Sequence, residues 1–97
     1  MFLKFINSIN GKIRYIDITF TNPEFVELCD GAYSFQYDIK NTPELVGKTI
    51  ISIFFFQWSM IKGVISVGLD RNMSSINILK NTIDTPSYIK VRVVYMN

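Results

Sequence analysis

The chain has 97 residues, 48% of them hydrophobic and 14% aromatic, with a formal net charge of +2; this balance predicts one packed domain spanning residues 1–97 and excludes disorder. It has no histidine and a single cysteine, Cys29, so the side chains most used for proton transfer near neutral pH, metal ligation and thiol chemistry are absent or solitary. No internal disulfide can form, a reducing cytoplasm is the expected compartment, and a non-enzymatic protein without metal or cofactor is the expected class.

Residues 1–9 place Lys4 among apolar side chains and then run into Asn10-Gly11, without the apolar stretch and small-residue cleavage site of a signal peptide. Asn-Gly is the preferred pair for a type I′ turn, which needs positive φ at both central positions. A two-residue hairpin loop there sets Ile6 opposite Tyr15, Phe5 opposite Ile16, Lys4 opposite Asp17 and Leu3 opposite Ile18. In that register Leu3, Phe5, Ile9, Ile16, Ile18 and Phe20 gather on one face, separated from the Lys4–Asp17 pair.

Thr21-Asn22-Pro23-Glu24 has the form of a helix start, with a capping residue before a proline at the first helical position, and Gly31 has the form of a stop. The prediction is a two-turn helix over residues 23–30. On it Phe25, Val26, Leu28 and Cys29 fill an inward arc, leaving Glu24, Glu27 and Asp30 as an acidic outer stripe. Cys29 is then expected as a small buried hydrophobe.

Residues 32–39 alternate, Tyr33, Phe35, Tyr37 and Ile39 against Ser34, Gln36 and Asp38, which predicts a half-buried strand. Thr42-Pro43-Glu44 opens at most one helical turn. Residues 49–61 are apolar on both alternations and rich in β-branched and aromatic types, which favours a central strand, with a buried helix as the alternative; the run is short of the roughly 20 residues of a membrane-spanning helix. Lys62-Gly63 breaks it, residues 64–69 resume it, and Asp70-Arg71-Asn72 turns into residues 75–79, predicting successive antiparallel strands. After a loop containing Pro86, Ile89, Val91, Val93 and Tyr95 alternate against Tyr88, Lys90, Arg92 and Val94 as a last strand. The expected fold is mainly antiparallel β (α+β), about seven strands in a small sandwich or curved sheet with one short helix.

Gly47-Lys48-Thr49 has the ending of a phosphate-binding loop, but Thr42 stands where that loop needs its first glycine and no helix follows. Tyr33, Phe35 and Tyr37 on one strand, with Tyr88, Lys90 and Arg92 on another, are either core or a base-stacking platform with basic flanks. The charge is uneven along the chain: from Asp17 to Glu44 stand six carboxylates against Lys40 alone, whereas the segments on either side are net positive. Segregated charge with aromatic anchors suits a protein-binding module. The predicted function is therefore binding of a protein partner, such as a basic toxin or nuclease neutralised by an inhibitor or immunity-type protein, through Glu24, Glu27, Asp30, Tyr33 and Tyr37. The alternatives are a single-stranded nucleic-acid-binding module and a self-assembling subunit that uses residues 49–61 or 88–96 as sheet edges.

Overall fold

A computed structural model describes residues 2–8, 12–59 and 63–96, the first of these segments by its backbone and strand pairing alone. Eight strands form two four-stranded antiparallel sheets: β1 (Phe2–Ser8), β2 (Ile13–Thr21), β3 (Val26–Cys29), β4 (Ala32–Asp38), β5 (Thr49–Trp58), β6 (Ile65–Leu69), β7 (Ser75–Lys80) and β8 (Tyr88–Met96). The first sheet runs β1-β2-β8-β5 and the second β3-β4-β7-β6. The antiparallel β expectation holds, with one strand more than counted from the sequence. Among the described residues the only helical pieces are two 3-10 turns, Ile39–Asn41 and Pro43–Leu45, and no helix is long and apolar enough to cross a membrane.

The alternation read along β2 and β8 sets the first sheet. Their register pairs Ile16 with Val93, Ile18 with Val91 and Phe20 with Ile89, and all six side chains are buried. The intervening positions pair Asp17 with Arg92 and Thr19 with Lys90 on the outer face. In the second sheet Tyr37 pairs with Ile76 and Phe35 with Ile78, while Val67 and Leu69 of β6 face the same way. The two inner faces meet through Phe20, whose ring stands edge-on to Phe35 at 5.1 Å and to Tyr37 at 4.9 Å, the geometry that the ring quadrupoles favour. Thus Phe35 and Tyr37 line the inside of the sandwich, while Tyr33, half-buried at the end of the stripe, covers Lys80, and the three do not form an open stacking platform.

The predicted helix over residues 23–30 is instead an extended segment and β3. Asn22 takes a left-handed conformation (φ 48°) and donates its N–H to the Ser87 carbonyl at 2.8 Å, so the chain leaves β2 without a helical start. Asp30-Gly31 then forms the turn that returns it to β4, with Gly31 at φ 80° and Cys29 opposite Ala32. Two turns of helix have little stability of their own, whereas Val26, Glu27 and Cys29 gain ladder partners in β4. Cys29 is consequently exposed rather than buried, and Leu28 is exposed with it.

Two further expectations change. The β1–β2 register is one residue away from the predicted one: Lys4 stands opposite Ile18, Phe5 opposite Asp17, Ile6 opposite Ile16 and Leu3 opposite Thr19. The Asn10-Gly11 turn itself lies outside the described residues. The faces of β2 are fixed by β8, where Asp17 meets Arg92; the side chain of Lys4 lies outside those described. The run 49–61 forms an edge strand, β5, not a central one, and its last residues lie outside those described. Irregularities between Ile50 and Ser52 and between Phe55 and Gln57 shift its register. That is why apolar residues occupy both alternations: Ile50, Ile53 and Phe55 pack against the core, while Ile51, Phe54 and Phe56 are exposed. β5 and β6, expected as neighbours in one sheet, belong to different sheets, and β8 is central, so only β5 of the two proposed edges is an edge.

Candidate protein-binding site

β3 is one of the two edges of the second sheet, four residues long and exposed at every position. Along it and its flanks lie Glu24, Glu27 and Asp30, all exposed, so the acidic stripe read from the sequence reaches the surface although the helix that was to carry it does not form. Val26 and Leu28 alternate with these carboxylates and are 65% and 61% exposed. An edge strand offers unpaired backbone N–H and C=O groups, and acidic side chains discourage indiscriminate pairing while leaving a complementary partner free to add.

Tyr33 belongs to the same cluster. It pairs with Glu27 across the β3–β4 ladder, and its phenol is pushed above the usual tyrosine range first by burial and then by the negative charges of Glu27 and Asp30. Below it, Lys80 of β7 is almost fully buried, its ammonium 4.2 Å from the centre of the Tyr33 ring and 4.6 Å from that of Phe25. Lys80 Nζ donates to the Thr82 carbonyl at 2.6 Å, and burial lowers its pKa from the ordinary lysine value. The cation thus fixes two rings from beneath, behind an exposed acidic edge.

Tyr37 stands apart from that cluster. It is 8% exposed, and its hydroxyl shares a 2.7 Å hydrogen bond with that of the fully buried Thr42, so its first role is to satisfy polar groups within the core. Its ring does reach the floor of a groove of about 320 Å³ that opens beside Glu24 and is walled by Phe20, Asn22, Pro23 and Phe35. A second, largely apolar groove of about 380 Å³ opens on the other side of Tyr33, between Leu28, Val64 and Leu79. Two open grooves therefore adjoin this part of the surface.

Comparison of the chain with protein families, with curated proteins and with solved structures finds no significant match. Among the described residues no group of three or more potential metal ligands comes together.

The feature that the sequence reading missed lies on the outer face of the first sheet. Arg92 donates through Nε and Nη2 to the two carboxylate oxygens of Asp17, at 2.7 and 2.9 Å. Its guanidinium lies 4.1 Å from the centres of the Tyr15 and Phe56 rings. Tyr15, Arg92 and Phe56 belong to β2, β8 and β5, so one cation ties three strands together on the face away from the core. Asp17 and Arg92 are 75 residues apart, which is why no local pattern announces them.

Proposed function

We propose that the protein is a small, non-enzymatic protein-binding domain of the inhibitor or immunity type, and that it meets a basic partner, such as a toxin or nuclease, along the β3 edge. The observation that carries this reading is the exposed edge strand on which Glu24, Glu27 and Asp30 alternate with Val26 and Leu28 over the supported Tyr33 ring. The carboxylates steer and orient a cationic surface, the aliphatic side chains bury against it, and Tyr33 supplies a rigid aromatic anchor with little conformational entropy to lose. The grooves on either side suit protruding side chains of the partner.

The test is capture of protein partners by the tagged domain from its native source, comparing wild type with the triple variant Glu24→Lys, Glu27→Lys, Asp30→Lys. All three residues are exposed, so the variant should fold, as circular dichroism would confirm. A stoichiometric basic protein captured by the wild type should be lost from the variant, and its association rate should fall most at low salt. Equal capture by both forms would remove the acidic edge from the interface.

A further inference from the structure

We propose that the outer face of the first sheet is a binding platform for single-stranded nucleic acid. This surface is distinct from the β3 edge, and the inference does not rest on the protein-binding reading.

Its first support is the exposure of rings on a sheet face. Phe54 and Phe56 of β5 are 41 and 47% exposed, and beside them lie the partly exposed Tyr15 and Tyr88. Flat side chains on an open antiparallel sheet are what splayed bases stack on, because every base offers a π-face whatever its identity. Part of the platform is pre-organised, since the Arg92 guanidinium, locked by Asp17, holds the Tyr15 and Phe56 rings in place across three strands.

The second support is charge. Of the eight carboxylate side chains in the chain, only Asp17 belongs to a strand of the first sheet, and it is neutralised by a two-point contact with Arg92. Lys90 lies on the same outer face, opposite Thr19 and Gln57. The acidic residues that define the β3 edge lie on the other sheet. A polyanion is therefore drawn toward the aromatic face and repelled from the acidic one, and the pairing of rings with cations fits bases joined by phosphates better than it fits an apolar protein surface.

A labelled oligothymidylate of about 12 nucleotides would be titrated with the full chain at about 50 mM salt, with fluorescence anisotropy as the readout. The expected result is a rise in anisotropy with a Kd in the micromolar range or below, weakening as salt rises. The double variant Phe54→Ala, Phe56→Ala, whose rings are exposed, should keep its fold by circular dichroism and lose affinity about tenfold or more. Lys90→Ala should lower the slope of log affinity against log salt by about 0.7. The triple reversal at Glu24, Glu27 and Asp30 should leave binding intact or strengthen it, so failure of the acidic-edge reading and failure of this one are told apart. The proposal is overturned by absence of an anisotropy change, or by equal binding in the ring-deleted variant, which would mark charge attraction alone. It is equally overturned if polyglutamate competes as well as the oligonucleotide, which would assign the face to acidic protein segments.

Discussion

The two sheets share strand number, pairing sense and one core, yet their outer faces are built to opposite rules. On the second sheet the outward positions of β4, β6 and β7 include Ser34, Gln36, Ser66, Gly68, Asn77 and, at one end, the exposed Leu79, and Gln36 Nε2 donates to the Ser75 hydroxyl at 3.0 Å. On the first sheet the corresponding positions hold Tyr15, Phe54, Lys90, Arg92 and Val94, organised around a paired and ring-covered guanidinium. Alternation within a strand separates core from solvent in both sheets. Only in the first does the solvent side carry the aromatic content that a water-facing sheet has no need of, and exposed apolar surface of that kind marks contact with another molecule.

The most severe way to break the contrast is Arg92→Ala. It leaves the Asp17 carboxylate, 8% exposed, without its partner and unstacks Tyr15 and Phe56. Because the Arg92 side chain retains 23% exposure, the expected loss of about 2–4 kcal/mol lies toward the lower part of the range for a buried pair. Urea unfolding measures it, and the double variant Asp17→Leu, Arg92→Leu should recover most of the loss. An unchanged midpoint for Arg92→Ala would mean that the pair does not organise this face.

The chain passes from one sheet to the other between β5 and β6, and Gly63 there has φ 102°; a Cβ atom at that position would stand 2.6 Å from Asn81 Oδ1. Asn81 Oδ1 is also the acceptor for the Val64 N–H, so the clash falls on a bond that positions β6. Gly63→Val is expected to cost about 1–3 kcal/mol through backbone strain and to lower the thermal midpoint without altering the face of the first sheet. A melt unchanged from wild type would show that the crossing tolerates another route.

Acid sharpens the comparison further, because the second sheet ends in a carboxylate clasp. Asp70, after β6, accepts from the Ser74 N–H at 2.6 Å, the Ser75 N–H at 3.0 Å and the Ser74 hydroxyl at 2.7 Å, and these bonds hold its pKa below the ordinary carboxylate value. A depressed folded pKa contributes stability that is complete above the unfolded value and is lost as pH falls through the folded one. The midpoint of wild type should therefore drop on acidification below the normal aspartate range, with a smaller drop in Asp70→Asn, as thermal melts across the acid range would record. The smallest effect is expected for Gln36→Ala on the polar outer face, within about 0.5–1 kcal/mol. A larger loss there would erase the distinction between the faces.

Much of this architecture was legible wherever period two ran unbroken. β2, β4, β7 and β8 follow from alternation, and the inward sets Ile16, Ile18 and Phe20 and Ile89, Val91 and Val93 follow with them. β3 was misread because residues 21–31 satisfy the local rules of two structures. Pro23 and Gly31 punctuate a helix, but Asp30-Gly31 is also a hairpin turn, and pairing with β4 decides between them. β5 was misplaced because its bulges scramble the alternation from which an edge is told from a centre. At the candidate site the acidic residues were visible as a run of like charge, which survives a change of secondary structure. The cluster of Tyr15, Arg92 and Phe56 was not, since it exists only once strands from the two ends and the middle of the chain lie side by side.

That arrangement of strands also governs the order in which the molecule can assemble. The second sheet is assembled from residues 26–80, whereas the centre of the first is the β2–β8 pair, which joins Ile13 to Met96 at one end and Thr21 to Tyr88 at the other. During synthesis β3, β4, β6 and β7 emerge before β8 exists, while β1, β2 and β5 wait with an empty lane between them. Pairings of such high sequence separation form slowly, and a waiting β2, apolar on one side and flanked by a vacant edge, is exposed to chance association in the interval. The aromatic face therefore comes into being only once β8 has joined β2 and β5, and any ligand that reads it reads the finished first sheet.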